Sequence, residues 1–329
     1  MPSQSHPIRI ELPTGMSFGP VNAYLFTQPE PILIDTGLKT DQSQAALTAA
    51  LARHGLTAAD LRCIVITHPH VDHCGLALQL AQTSQAEIWI ADLGRPWLLD
   101  LPGHLLRRLD YYRDCFFPRW DFPAETNRSI LTTLRQIATV CEAVPASYIR
   151  TFSVGDTLKL SGLPWQVLHA PGHAYAQTCF YQADSGQLLA ADMLLAKAPA
   201  PVLEQPSPFV PAGKPPLAQF LDSLAMVEAL NITQVFPGHG EPFRDHRQVI
   251  RQQRIRIKQR LNQTTELIAA GHNTVAALMT QMYPTESAQF NLAGLWMLTA
   301  YLDFLETNGG ISSTVNTNGV CYYQTSELF

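Results

Sequence analysis

Charge is scarce in this sequence. Charged residues make up 15% of it, against roughly 25% in an ordinary soluble domain. There are 22 basic and 27 acidic residues, a net charge of -5. A basic field covering the whole molecule, as a general nucleic-acid binder carries, is therefore excluded, although a local patch stays open. No run approaches the roughly 18 uninterrupted apolar residues of a membrane span. The opening stretch MPSQSHPIRIELPTGMSFGP lacks a charged segment followed by an apolar one, so no secretory signal is read. The six cysteines, Cys63, Cys74, Cys115, Cys141, Cys179 and Cys321, form no CxxC pair. That spacing argues against a disulfide scaffold and for reduced thiols in the cytoplasm, each a small buried hydrophobe. Internal repeats and low-complexity tracts are absent as well. Apolar residues are plentiful at 46%, which excludes a disordered or fibrous chain. A length of 329 residues exceeds one ordinary core and predicts a large domain with a smaller one beside it.

Short strand signals open the chain at 8–12, 21–26 and 32–34, divided by proline and glycine. Asp35-Thr36-Gly37 closes the third. An alanine-rich helix at 41–54 stops near Gly55, an apolar strand runs over 63–67, a helix starts near Gly75 and a strand covers 87–91. Residues 94–150 differ: Trp97, Tyr111, Tyr112, Phe116, Phe117 and Trp120 stand among helical spacings at 103–115 and 126–143, which reads as a helical insertion. Strands resume at 157–160, 165–169, 178–182 and 188–191, followed by a proline-rich loop at 198–216, a helix at 217–230 and a strand at 233–236. A basic helix is expected at about 243–270 and a short one, capped by Asn273-Thr274, up to 282. Residues 290–306 are apolar on nearly every face and predict a buried helix. Alternating residues around Asn318-Gly319 at 311–323 predict a hairpin. The expected division is a domain at 1–245 and a helical linker with a small winged-helix-like domain at 246–329.

Eleven histidines are present, and three of them share six residues with an aspartate: His68, His70, Asp72 and His73, directly after an apolar strand. One such histidine is an ordinary surface residue; four donors in six residues are not. Pro69 restricts its own φ and pushes His68 toward an extended conformation. His68 and His70 then project to one side, while Asp72 and His73 follow where the chain turns into a helix. Two donor pairs leaving one loop in two directions suit two adjacent metals. Imidazole and carboxylate favour zinc, and without a thiolate they are compatible with iron or manganese too.

This H-x-H-x-D-H segment, followed by Gly75, resembles the metallo-β-lactamase superfamily of hydrolases. Four further motifs agree in order: Asp35 in IDTG, His173 in APGH, Asp192 in LLAADML and His239 in FPGHG. Taken singly each is a common turn or strand end; together they span about 20–245. The resemblance implies an α+β fold, a four-layer αββα sandwich with the metals at one edge between the sheets. It implies two divalent cations, one held by His68, His70 and His173, the other by Asp72, His73 and His239, with Asp192 bridging and Asp35 holding the ligand loop. His169 follows closely enough to be a supporting residue, whereas His6, His54, His104, His246 and His272 fit no ligand position. The C-terminal part is similar to the winged-helix extension of hydroxyacylglutathione-hydrolase-like and ribonuclease-like members.

The motifs also depart from some branches. Where thioesterase and lactonase relatives repeat Pro-Gly-His, this chain reads His173-Ala174-Tyr175-Ala176-Gln177. Leu195 stands where the lactonase branch has tyrosine, and His70 stands where the oxygen-reducing di-iron branch has glutamate. No nuclease-type domain is inserted. The implied chemistry is hydrolysis by a hydroxide shared between two cations about 3.5–4 Å apart, with Asp72 orienting the nucleophile as the catalytic residue. The expected substrate is a small ester-like molecule, a thioester or lactone. The alternative is a ribonuclease or phosphodiesterase of the same superfamily, for which the basic run Arg244, Arg247, Arg251, Arg254, Arg256, Lys258 and Arg260 speaks, although a solvated helix or a domain contact explains that run as well. A scaffold with a vestigial site is disfavoured by the complete donor set. The insertion and the loop at 193–216 are expected to build the pocket, with Tyr111, Tyr112, Phe116, Trp120, Tyr175 and Lys197 as candidate lining. The expected partners are a small-molecule substrate and, through the apolar C-terminal helix, a second copy of the chain; no membrane is expected, and nucleic acid is disfavoured but stays open.

Overall fold

The computed structural model describes residues 6–16, 19–197, 202, 213–284 and 291–326. Two mixed sheets face each other, with helices on their outer faces. The first contains β1 (Ile8–Leu12), β2 (Val21–Phe26), β3 (Ile32–Ile34), β4 (Cys63–Ile66), β5 (Glu87–Ala91) and β6 (Ile149–Phe152), in that order. Its first three strands are antiparallel and the rest run parallel. The second contains β7 (Thr157–Leu160), β8 (Leu163–His169), β9 (Thr178–Gln182), β10 (Gln187–Ala191) and β11 (Gln234–Pro237). It runs β11-β10-β9-β8-β7, and only β10 and β11 pair in parallel.

The period-two rule explains how the strands serve two layers. In β2 every residue is buried, yet Tyr24 and Phe26 enter the core between the sheets while Val21, Ala23 and Leu25 face the helices. The same alternation sends Ile34 and Val65 inward and Leu33, Ile64 and Ile66 outward. Against the outer face of the first sheet lie α1 (Asp41–Arg53), then α2 (Val71–Cys74) and α3 (Ala77–Ser84). The insertion forms α4 (Arg95–Leu99), α5 (Leu101–Tyr111) and α6 (Ala124–Thr139), with a π-type turn at Tyr112–Phe116. It is the crossover between the parallel strands β5 and β6. The strand β6 has no signal in the sequence reading, which ran the insertion to 150. It is a four-residue edge strand with two exposed side chains, too short to show a period.

Covering the second sheet are α7 (Pro216–Glu228), α8 (His246–Ala269), α9 (Val275–Met282) and α10 (Leu292–Thr307), followed by the hairpin β12 (Ile311–Val315) and β13 (Cys321–Thr325). Every residue from Gly294 to Leu302 is buried, as an all-round apolar helix requires. The chain itself supplies the cover: α10 shares one apolar cluster with α7, α8, α9, the outer face of β9 and β10, and the insertion's Tyr112, Phe117 and Trp120. Phe290, the first residue of the expected helix, and most of the expected loop at 193–216 lie outside the described residues. Among the described residues no helix is long and apolar enough to cross a membrane.

Trp165 is the largest side chain fully enclosed between the sheets and meets Phe26 edge to face at 5.8 Å. Its truncation leaves a cavity that neither sheet can close, so Trp165→Ala should cost about 3–5 kcal/mol in urea unfolding. A loss under about 1 kcal/mol would mean that the sheets do not meet there.

Candidate metal centre

The strand ends carry the site. Asp35 follows β3 in a left-handed conformation, φ 59°, which turns its side chain back toward the end of β4. There its Oδ1 accepts from the Thr67 backbone N–H at 2.9 Å and its Oδ2 from the Thr67 hydroxyl at 2.9 Å. The same Oδ2 lies 2.8 Å from His73 Nδ1. A hydroxyl has one proton; since Thr67 gives it to a carboxylate, its lone pair receives the Nδ1–H of His68, 3.0 Å away. The carboxylate thus leaves the Nε2 of both His68 and His73 facing the site.

His70 is the extended residue just before α2, and Asp72 and His73 stand on that helix. Thr36 draws the helix against β3 by donating its N–H and hydroxyl to His73 O at 2.7 and 3.0 Å. Gly75 is required at the next turn, where a Cβ would lie 2.5 Å from both Lys39 N and Val71 O. The second sheet supplies the rest. His173 stands in the connection from β8 to β9, braced by His169, whose Nε2 donates to Tyr175 O at 2.7 Å. Gly172 before it has φ 126°, and a Cβ would come within 2.5 Å of Phe220 Cα in α7, which accounts for the Pro-Gly-His sequence. Asp192 follows β10, and His239 follows β11 with its Nδ1 donating to Pro20 O at 2.8 Å.

All seven expected ligand residues converge, in three overlapping groups: His68, His70 and His173; His68, His73 and Asp192; Asp72, His73 and His239. Around His70 Nδ1 lie His68 Nε2 at 3.0 Å and His173 Nε2 at 2.9 Å. Three imidazole nitrogens so close match the roughly 3.3 Å edge of a tetrahedron with 2.0–2.1 Å metal–nitrogen bonds, slightly contracted. Asp192 Oδ2 lies 3.4 Å from both His173 Nε2 and His239 Nε2, placing one carboxylate between the two groups. Asp72 Oδ2 lies 3.5 Å from His239 Nε2. Two buried potential ligand atoms, His73 Nε2 and Asp192 Oδ1, have no hydrogen-bond partner among the described residues although 3.5 Å apart. Buried polar atoms are nearly always satisfied, and a cation satisfies both. The residues therefore fit a dinuclear His/Asp metal site.

The electrostatics divide the site. Burial, reinforced by neighbouring histidines, holds His68 and His70 well below the ordinary imidazole range, in the neutral form that ligates. At His239 burial acts in the same direction, but Asp192 and Asp72 outweigh it and push the imidazole up to about 10. His73 is likewise raised against its burial by Asp192, Asp35 and Asp72. Burial would lift Asp72 and Asp192, yet His73 and His239 hold both below the usual carboxylate range.

The other sequence candidates fall elsewhere. Tyr111, Tyr112, Phe116 and Trp120 are aromatic packing, with Tyr112 and Trp120 centred 4.8 and 5.9 Å from Trp296 of α10. Lys197 contributes its carbonyl, which accepts from Arg256 at 3.0 Å, while its side chain is exposed. Tyr175 does flank His173. His104 stacks on Trp97 and His54 ends α1. Thr67, Asn22 and Gly238 were missed; a lone asparagine inside the buried strand VNAYLF was the available signal.

Compared with known proteins, the chain matches the family model of the Metallo-beta-lactamase superfamily over residues 16–239. It is 26% identical over 320 residues to the "Probable metallo-hydrolase YqjP" of Bacillus subtilis (strain 168), a match covering 97% of each chain. It is 28% identical over 137 residues to the hydroxyacylglutathione hydrolase GloC of Haemophilus influenzae, covering 41% of this chain and 50% of that one. The crystal structure of the metallo-beta-lactamase family protein TTHA1429 from Thermus thermophilus shares its fold, with a TM-score of 0.79 and 24% identity over 97% of this chain and 98% of that chain.

Two outcomes are expected. A Cβ at Gly238 would run into Asp192 Oδ1 and lie 3.0 Å from the His73 ring. Gly238→Ala should therefore lower metal content more than stability, and full metal content by elemental analysis would contradict the placement. In the metal-free chain His239 keeps its proton until pH approaches about 10, so cations compete with protons below that value. Metal affinity should rise with pH across the neutral range, and loading should release protons. Calorimetry in buffers of different ionisation enthalpy would show this as a buffer-dependent heat; identical heats would contradict it.

Proposed function

We propose, starting from the fact that the chain belongs to the metallo-β-lactamase superfamily, that it is a metallo-hydrolase using two divalent cations on a small ester-like substrate, a thioester or lactone. The observation that carries this reading is the placement of Asp192 Oδ2 at 3.4 Å from a histidine of each group. His68, His70 and His173 would hold one cation, Asp72, His73 and His239 the other, and Asp192 would touch both. The donor set favours zinc and is compatible with iron or manganese. When bound, such cations supply Lewis acidity and bring the pKa of water toward neutrality.

The chain's own groups then set the geometry of attack. Asp72 is kept ionised by His73 and His239, and an ionised carboxylate only accepts hydrogen bonds. It orients the attacking water at its carboxylate oxygens, which is the catalytic role assigned to it. Asp35 keeps His73 from rotating. No serine or cysteine nucleophile is needed; Cys74, next to His73, is buried and its thiol is raised by burial.

For the architecture, the reading is a four-layer αββα hydrolase domain at 1–245 and a winged-helix-like unit at 246–329 of the hydroxyacylglutathione-hydrolase-like branch. The helix order α8 to α10 followed by a hairpin supports the C-terminal unit, and the partial similarity to GloC supports the branch. The unit braces the segment leaving Asp192. Gln253 Nε2 donates to Leu195 O at 2.8 Å, Arg256 to Lys197 O at 3.0 Å, and Val202 N–H contacts Met297 Sδ at 3.1 Å. Much of the basic run is engaged internally: Arg247 donates to Glu228 O and Leu230 O, Arg254 pairs with Glu228, and Arg260 stacks on Tyr283. This favours a domain contact over a nucleic-acid grip. A homodimer would need a surface other than α10, which the chain covers itself. Six free thiols favour the cytoplasm as the compartment.

A hydrolysis screen of the zinc-loaded protein against thioesters, lactones, phosphodiesters and RNA tests the reading. Thioester or lactone turnover should appear, disappear with chelator and return with metal. Asp72→Asn should lower kcat by about 10²–10⁴-fold. Turnover confined to RNA or phosphodiesters would replace the ester reading with the nuclease one.

A further inference from the structure

We infer that Asn22, a strand residue outside the ligand set, is the positioning residue for His239 and thereby sets whether the second cation is held. The inference rests on the two-cation reading above.

The loop carrying His239 leaves β11, which stands at the end of the second sheet beside β10. Its own sheet holds it through Gly238 N–H to Ala191 O at 2.7 Å. A pair of backbone bonds between Val235 and Phe243, at 2.7 and 3.1 Å, closes its far end, and the carbonyls around His239 are held from the opposite sheet. Asn22, 1% exposed, donates Nδ2 to Pro237 O at 2.9 Å and to Gly240 O at 2.7 Å, and its backbone N–H to Gly238 O at 2.7 Å. One residue therefore engages three of the four carbonyls at 237–240, on both sides of His239. Tyr24 adds its hydroxyl to Pro237 O at 2.7 Å.

The amide can face only one way. Carbonyl oxygens accept and a guanidinium donates, so Nδ2 meets the loop and Oδ1 meets Arg9 Nη1, at 3.2 Å. Arg9 also donates to Gly240 O at 3.2 Å. Asparagine is thus the side chain that donates to the loop while accepting from Arg9, which explains a polar residue in a strand that is otherwise apolar or aromatic and wholly buried. None of the groups Asn22 touches belongs to the segments bearing His68, His70 or His173. Its effect therefore falls first on the cation held by His239, and reaches the other only through Asp192, whereas Asp35 contacts both groups directly or through Thr67.

Zinc titration against a chromophoric chelator, with metal content measured after dialysis, separates the two sites. The wild type should take up about two cations per chain. Asn22→Ser removes the two amide bonds and should weaken the second cation by about 10–100-fold, leaving the first much less affected and about one cation after dialysis. Asn22→Asp, which turns an acceptor toward two carbonyls, should do so more strongly. Arg9→Ala, at a partly exposed residue, should act in the same direction with smaller effect, and it decides the matter if the Asn22 variants fail to fold by circular dichroism. Equal weakening of both cations, or of neither, in a folded variant overturns the inference. A wild type that binds fewer than two cations overturns the two-cation reading, and the inference with it.

Discussion

One buried carboxylate determines how the rest of the site is arranged. Asp35 is 3% exposed, and a carboxylate taken out of water must be compensated by donors on every side. Its donors are the Thr67 backbone, the Thr67 hydroxyl and His73 Nδ1. Meeting all three fixes the end of β3 against the end of β4 and both against α2. It also determines which nitrogen of His68 and of His73 is bare. A ligating histidine is set by the hydrogen bond on its other nitrogen, and here a single group sets it for one histidine in each cluster.

The second constraint is that the two halves of the site belong to different sheets. The first sheet contributes the loop from His68 to His73; the second contributes His173, Asp192 and His239 from three separate strand ends. Their separation is governed by the apolar layer between the sheets, with Trp165, Phe26 and Phe180 among its fully buried members. Asn22 and Tyr24 tie the edges together at the site end. The outer helices fix the second sheet from behind, and α8 and α10 reach the segment that runs on from Asp192. Packing, ligand geometry and the ordering of that segment are therefore parts of one mechanical arrangement.

Much of this was legible because it is local. Four donors in six residues need no tertiary information, and the remaining motifs gained meaning from their order along the chain. The strand and helix positions followed from apolar period and from glycine and proline punctuation, except β6, whose four residues are half exposed. What stayed hidden depends on distant partners. Asn22 meets carbonyls more than two hundred residues away, and Thr67 is one threonine among many until Asp35 is seen to face it. The aromatic residues of the insertion were read as pocket lining because composition does not distinguish a wall from a core. The structure joins Tyr112 and Trp120 to Trp296 instead, a contact between two segments that no periodicity links. The apolar character of α10 was read correctly as a demand for cover, but sequence could not say that the same chain provides it.

The direct test is the tautomeric state of the histidines, read by long-range nitrogen–proton NMR of the zinc-loaded protein. The arrangement around Asp35 requires the proton on Nδ1 for His68 and His73, and Pro20 O separately requires it on Nδ1 for His239. His70, which presents Nδ1 to the site, must carry its proton on Nε2. That pattern across His68, His73, His239 and His70 is the expected result. A proton on Nε2 of His68 or His73 would contradict the claim that Asp35 organises both halves of the centre.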